Sequence, residues 1–143
     1  MDANNPMTSV APDNARPRLL IADDNPMIRS TLGMSLGGEF EVVGVAADSE
    51  EAVELARATQ PDAAVVDVEM PKGGGLRAVR GILEVAPDTA IVMLSADESD
   101  RGVRDLMQAG AIAYLRKGVA PHVLAESLTE SIEAHAHGRH AQS

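Results

Sequence analysis

The residues of this chain that could do chemistry together are acids, a hydroxyl and a lysine, each at the end of an apolar run. Arg18-Leu19-Leu20-Ile21-Ala22 stops at Asp23-Asp24, and Ala63-Ala64-Val65-Val66 stops at Asp67. Ile91-Val92-Met93-Leu94 stops at Ser95, and Ala111 to Leu115 leads into Arg116-Lys117. Carboxylates brought together repel, each raising the pKa of the others, unless a cation holds them. An oxygen-only cluster with open positions suits Mg²⁺, which keeps waters and takes a phosphate oxygen into its shell. With a lysine and a hydroxyl beside it, such a cluster is a phosphoryl-transfer site. A carboxylate attacks phosphorus and becomes an aspartyl phosphate, while metal and lysine neutralise the equatorial oxygens and the hydroxyl bonds one of them.

For these residues to meet, the apolar runs must be strands of one sheet. Ala63 to Val66 has no polar interruption and two β-branched residues, as expected of a strand buried on both faces. Beyond Asp67, Val68-Glu69-Met70-Pro71-Lys72-Gly73-Gly74-Gly75 reads as a surface loop. Its glycines are expected to be flexible and free of steric demand, and they lack the Gly-Lys-Ser/Thr ending of a Walker loop. Between the strands the spacing is helical. Asn25-Pro26 supplies a cap and a first-turn proline, and Ile28, Leu32 and Leu36 form a buried stripe ended by Gly37-Gly38.

Phe40 to Ala46 reads as the second strand, and Asp48 or Ser49 as the cap of a helix carrying Ala52, Val53, Leu55 and Ala56. Leu76, Val79, Ile82 and Leu83 give a third helix, and Thr89 to Ser95 a fourth strand. Asp97 to Ala109 is a helix weakened by Gly102 and stopped by Gly110. Ala111 to Leu115 is the fifth strand, and Pro121 opens a last helix through Leu124, Leu128 and Ile132. Alternating strands and helices predict an α/β domain with right-handed crossovers, a mostly parallel sheet and helices on both faces. The carboxyl ends of such strands converge on the edge where open sheets bind ligands.

Composition narrows the function. The 143 residues suffice for one domain with a real core. A formal charge of −10 opposes a tight grip on a phosphate backbone, so this chain is not expected to bind nucleic acid directly. The absence of cysteine removes disulfide and thiol chemistry and is compatible with a reducing compartment. No run is long or apolar enough to span a membrane, and the first residues lack the order of a signal peptide, so a cytoplasmic location is expected. Phe40 and Tyr114 are the only aromatics, which leaves the core to Ala, Val, Leu, Ile and Met.

The order Asp23-Asp24, then Asp67-x-x-Met70-Pro71-x-x-x-Gly75, then Ser95-Ala96, then Tyr114-x-x-Lys117 resembles the receiver domain of two-component response regulators, the CheY-like superfamily. The likeness covers roughly residues 18 to 134. The Ile-Ala-Asp-Asp-Asn-Pro start and the Gly-Ala-x-Ala-Tyr-Leu-Arg-Lys end are most similar to receivers joined to LuxR/NarL-type helix-turn-helix regulators. The resemblance implies a single flavodoxin-like domain, a five-stranded parallel sheet of order 2-1-3-4-5 with five helices.

By position, the resemblance makes Asp67 the phosphoacceptor and Asp23 and Asp24 the Mg²⁺ acids. The backbone carbonyl of Glu69 completes the metal shell, Ser95 and Lys117 hold the phosphoryl group, and Ser95 and Tyr114 form the switch pair. Glu69 and Asp97 match the variable positions that tune dephosphorylation. The implied phosphodonor is a histidine kinase or phosphotransfer protein. The implied output is a changed surface on the fourth helix, fifth strand and fifth helix, open to a homodimer. Gly118 departs from the family pattern, in which a proline often follows the lysine.

Residues 1–16 are expected to be a disordered leader, 17–134 the domain and 135–143 a flexible tail. No output-domain pattern is read after Ile132, as expected of either a stand-alone receiver or a piece of a longer DNA-binding regulator. Met27 and Met34, off the Ile28 stripe, are expected to be exposed and to suit docking of the donor's phosphohistidine domain. Two other classes compete. A degenerate receiver would bind partners without phosphorylation, but here the acids are intact. An aspartyl-nucleophile phosphatase generally places its two acids two residues apart after the first strand, whereas Asp23 and Asp24 are adjacent.

Overall fold

The computed structural model describes residues 16–96 and 100–142, so nearly all of the expected leader, and Asp97, lie outside the described residues. In chain order the elements are β1 (Arg18–Ala22), α1 (Pro26–Leu36), β2 (Glu41–Ala46), α2 (Ser49–Thr59), β3 (Ala63–Asp67), α3 (Gly74–Val85), β4 (Ala90–Ser95), α4 (Asp100–Ala109), β5 (Ala113–Arg116) and α5 (Pro121–Gln142). The five strands pair in parallel in the order β2-β1-β3-β4-β5, the order expected from the sequence.

Alternation along the strands divides the core in two. Leu20 and Ala22 of β1, Ala64 and Val66 of β3, and Ile91 and Met93 of β4 point to one face, where they meet Ala52 and Ala56 of α2, Val79 and Ile82 of α3, and Leu106 of α4. Leu19 and Ile21, Ala63 and Val65, and Val92 and Leu94 point to the other, against Leu36 of α1 and Leu124 and Leu128 of α5. Strands covered on both faces carry apolar residues at every position, which is why β3 and β4 read as unbroken runs.

Several boundaries move by a few residues for local reasons. Phe40 is buried but precedes β2, because its N–H donates to the Leu36 carbonyl (2.9 Å) and so belongs to the exit of α1. Ala111 stays outside β5 because its N–H closes α4 on Leu106 (3.0 Å). Asp48, not Ser49, caps α2, accepting from the Glu51 N–H at 2.8 Å. The last helix continues through Gln142, beyond the boundary at 134 expected from the sequence. The histidine there is not free of the domain: His135 Nε2 lies 2.9 Å from the Pro87 carbonyl across the α3–β4 turn.

The glycines after Asp67 are not the steric-free loop the sequence suggested. Gly74 and Gly75 are the first residues of α3, and Gly75 is buried against Val68. A Cβ on Gly75 would stand 2.9 Å from the Val68 Cα and carbonyl and 2.9 Å from Met93 Cε. Gly75→Ala is therefore expected to destabilise the fold by about 1–3 kcal/mol, as overpacking does, despite alanine's better helix propensity. Urea unfolding checks this, and an unchanged midpoint would contradict the close approach.

Candidate functional site

Sheet register gathers the site. Ala22 of β1 pairs with Val66 of β3, so one step further Asp23 stands beside Asp67. Asp67 pairs with Leu94 of β4, which places Ser95 one step beyond it, and Ser95 pairs with Arg116 of β5, which places Lys117 next in line. Residues distant in sequence thus reach one rim of the sheet, as expected for the carboxyl ends of a doubly wound fold.

Each acid is held by the turn that follows it. Asp23 Oδ1 accepts from the Asn25 N–H at 2.9 Å. Asn25 caps α1, its Oδ1 accepting from Met27 (2.8 Å) and Ile28 (3.2 Å), so one short segment fixes both the acid and the helix start. Asp67 Oδ1 accepts from the Glu69 N–H at 3.0 Å in the same geometry. The remaining oxygens, Oδ2 of Asp23 and Oδ2 of Asp67, are buried and have no well-formed hydrogen bond. Lys117 Nζ sits between them, 3.1 Å from the first and 3.2 Å from the second. Asp23 is 1% exposed and Asp67 2%, so these charges are largely taken out of water.

The electrostatics follow from that burial. Loss of solvent raises the Asp67 pKa above the ordinary 3.8, and the charge of Asp23 adds to it, against the Glu69 N–H and Lys117. Burial opposes the charge of Lys117, but its bonds to Asp23 and Asp67 outweigh that and raise its pKa above 10.5. The folded chain holds the Asp67 proton more tightly than the unfolded chain does. Ionised Asp67 therefore costs stability, and the cost is relieved as pH falls through the folded-state pKa toward 3.8. Asp67→Asn is expected to raise the urea midpoint at neutral pH in chelator, by a margin that narrows on acidification. A lower midpoint at every pH would contradict the assignment.

A divalent cation fits this site. Carboxylate oxygens of Asp23, Asp24 and Asp67 lie within 4.8 Å of one another, with Asp24 exposed to solvent and the other two buried. Two buried oxygens that share a single lysine and lack a well-formed hydrogen bond, within an all-oxygen donor set, match the demands of Mg²⁺. Ser95 is buried at the end of β4, and the Lys117 N–H donates to its carbonyl at 2.8 Å. Tyr114, half-buried in β5 opposite Met93, packs against the core face shared with α4. The lysine reaches the acids with Gly118 after it; Gly118 adopts a φ of 93°, a left-handed conformation that glycine accommodates without strain. Glu69 is exposed beside Asp67.

Arg29 also belongs to the site, although no motif in the sequence marks it. Its guanidinium donates to the Asp23 carbonyl at 2.8 Å and pins the backbone of the β1–α1 turn. The available signal was a basic residue one helical turn after the acid-and-cap segment. Met27 and Met34 are 75% and 82% exposed, as expected. Met27 also borders a groove of about 360 Å³ between α1 and α5 whose walls include Ile28, Leu32, Val119 and Leu124. Among the described residues no helix is long and apolar enough to cross a membrane.

Comparison with known proteins identifies the family and the fold. Residues 19–129 match the response regulator receiver domain family. The transcriptional regulatory protein YxjL of Bacillus subtilis is 33% identical over 123 residues, 85% of this chain and 55% of YxjL. The response regulator GacA of Pseudomonas aeruginosa is 34% identical over 115 residues, 79% of this chain and 54% of GacA. This chain therefore spans about half the length of the curated relatives it matches. Among solved structures, the signal receiver domain of the response regulator NarL from Mycobacterium tuberculosis superposes with a TM-score of 0.79 at 26% identity, covering 83% of this chain and 98% of that one.

Proposed function

The chain belongs to the response regulator receiver domain family, and on that premise we propose that it is a phosphorylation switch whose acceptor is Asp67. The observation that carries this reading is the pair of buried carboxylate oxygens of Asp23 and Asp67 that converge on Lys117 with no other partner at hydrogen-bond geometry.

Asp23, Asp24, Asp67 and the Glu69 backbone carbonyl would hold Mg²⁺. When bound, the metal neutralises charge that builds on the transferred phosphoryl oxygens. An oxygen of Asp67 attacks phosphorus in line as the bond from phosphorus to the donor's histidine nitrogen breaks, and that nitrogen leaves with the electron pair. Lys117 turns from the two carboxylates to the new phosphoryl oxygens, and the Ser95 hydroxyl donates to one of them. A phosphoryl group of roughly −1.5 to −2 charges takes the place of the single Asp67 carboxylate charge, and its added oxygens draw Ser95 toward Asp67 and turn Tyr114 inward. The α4–β5–α5 surface then changes for a partner or a second copy. Glu69 and Asp97, at the variable positions of the family pattern, would tune hydrolysis of the phosphoryl group.

The donor is a histidine kinase or phosphotransfer protein in the cytoplasm. The exposed Met27 and Met34 and the α1–α5 groove beside Lys117 supply an apolar docking face for its helices. No multiple-turnover catalysis is assigned to the chain. The relatives YxjL and GacA are regulators, so this receiver would control a transcriptional output.

Incubation with acetyl phosphate and Mg²⁺ tests the proposal. The expected result is a mass gain of one phosphoryl group, mapped to the peptide carrying Asp67 and absent when chelator is present throughout the incubation. A chain that binds no Mg²⁺ and gains no mass would instead be a phosphorylation-independent interaction module.

A further inference from the structure

Segment 68–74 joins the acceptor strand to α3, and two hydrogen bonds tie it to the start of α2 through one residue. Ser49 is fully buried. Its Oγ donates to the Gly74 carbonyl at 2.7 Å, and its N–H donates to the Pro71 carbonyl at 3.2 Å. The N–H is one of the donors that a helix start leaves without an intrahelical partner, so the loop satisfies the helix as the helix restrains the loop.

The anchor is itself fixed. Asp48 caps α2 through the Glu51 N–H (2.8 Å), Glu51 reaches back to the Ala47 N–H (2.7 Å), and Lys72 of the loop lies 3.8 Å from both Asp48 and Glu50. At its other end the loop is closed by the Gly75 N–H on the Val68 carbonyl at 2.8 Å. Glu69 lies inside this closed span, with its N–H on Asp67 Oδ1 at 3.0 Å.

We propose that Ser49 is a positioning residue for the phosphoacceptor site, its hydroxyl and amide holding segment 68–74 so that Asp67 and the Glu69 carbonyl meet a divalent cation together. This rests on the metal-site reading given above. The hydroxyl is the informative part, because a serine placed there only to start a helix would have no need to reach a carbonyl 25 residues away. Loss of one such bond loosens the loop at its Gly74 end while leaving the core of α2, built on Ala52 and Ala56, in place.

The test uses Mg²⁺ alone as probe, titrated calorimetrically into the wild-type chain and S49A. The wild type is expected to bind, and S49A to bind about five-fold more weakly, in line with the loss of one buried hydrogen bond. A serine that merely supports the fold would lower the urea midpoint of S49A equally with and without Mg²⁺. A positioning residue makes the gap between S49A and wild type wider in Mg²⁺, because the cation stabilises the two chains unequally. Equal affinity in S49A and a binding wild type overturns the role of Ser49 alone; a wild type that binds no Mg²⁺ overturns the metal-site reading as well.

A measurement on the wild type stands even if S49A fails to fold. Coupling is reciprocal, so Mg²⁺ should slow hydrogen exchange of the Ser49 amide several-fold. Exchange of that amide unchanged by the cation would overturn the proposal.

Discussion

Asp67→Ala is expected to abolish covalent labelling by acetyl phosphate, with no mass gain under conditions that label the wild type to completion. Asp67 is the last residue of β3, and its Oδ1 is committed to the Glu69 N–H, while Oδ2 is buried without a well-formed hydrogen bond. Asp23 is equally buried and likewise presents Oδ2 to Lys117, so it is the natural substitute nucleophile. Its place differs: it follows β1 at the base of α1, beside the Arg29 guanidinium that holds its carbonyl. Mass spectrometry of Asp67→Ala should show no phosphoryl adduct, and an adduct that moves to Asp23 would show that the two acids exchange roles.

Lys117→Ala carries the second large effect, this time on stability. The lysine ammonium is 3.1 and 3.2 Å from two carboxylates that are 1% and 2% exposed. Removing one partner of a buried ion pair leaves uncompensated charge, which typically costs 3–5 kcal/mol. Lys117 is itself 21% exposed, so solvent entering its place offsets part of this, and a loss of about 3 kcal/mol is expected in chelator at neutral pH. The sign in pH follows from the raised pKa of Lys117: its contribution is fully present below 10.5 and is lost as pH rises through the folded-state value. Millimolar Mg²⁺ should restore most of the missing stability, since a divalent cation can occupy the space between the same oxygens. Urea unfolding with and without Mg²⁺ checks both halves. A variant as stable as the wild type in chelator would show that the acids do not depend on the lysine.

The acid pocket was readable before any coordinates because each of its members lies at the end of an apolar strand. Parallel strands in one sheet leave all such ends on one rim, so Asp23, Asp67, Ser95 and Lys117 needed only the strand pattern to be brought together. The register supplies the rest, with Ala22 opposite Val66 and Ser95 opposite Arg116. Contacts that run from a side chain to a distant carbonyl left no such trace. Arg29 to Asp23 and Ser49 to Gly74 depend on how a helix start sits against a loop, and no periodicity records that. Gly75 misled for a related reason. Three glycines in a row have the composition of a flexible loop, yet the demand on Gly75 comes from Val68 and Met93 packing against it in space. The end of α5 was foreshortened because polar residues after Ile132 signal a tail, whereas a helix edge facing solvent needs only residues that tolerate helix.

The most direct test of the central claim is a calorimetric titration of MgCl₂ into the wild-type chain beside Asp67→Ala and Asp23→Asn. If the acids of β1 and β3 form one divalent-ion site, the wild type binds a single Mg²⁺ and each variant loses at least about ten-fold in affinity, as removal of a metal-orienting group does. Wild-type affinity retained in both variants would contradict a shared site at the rim of the sheet.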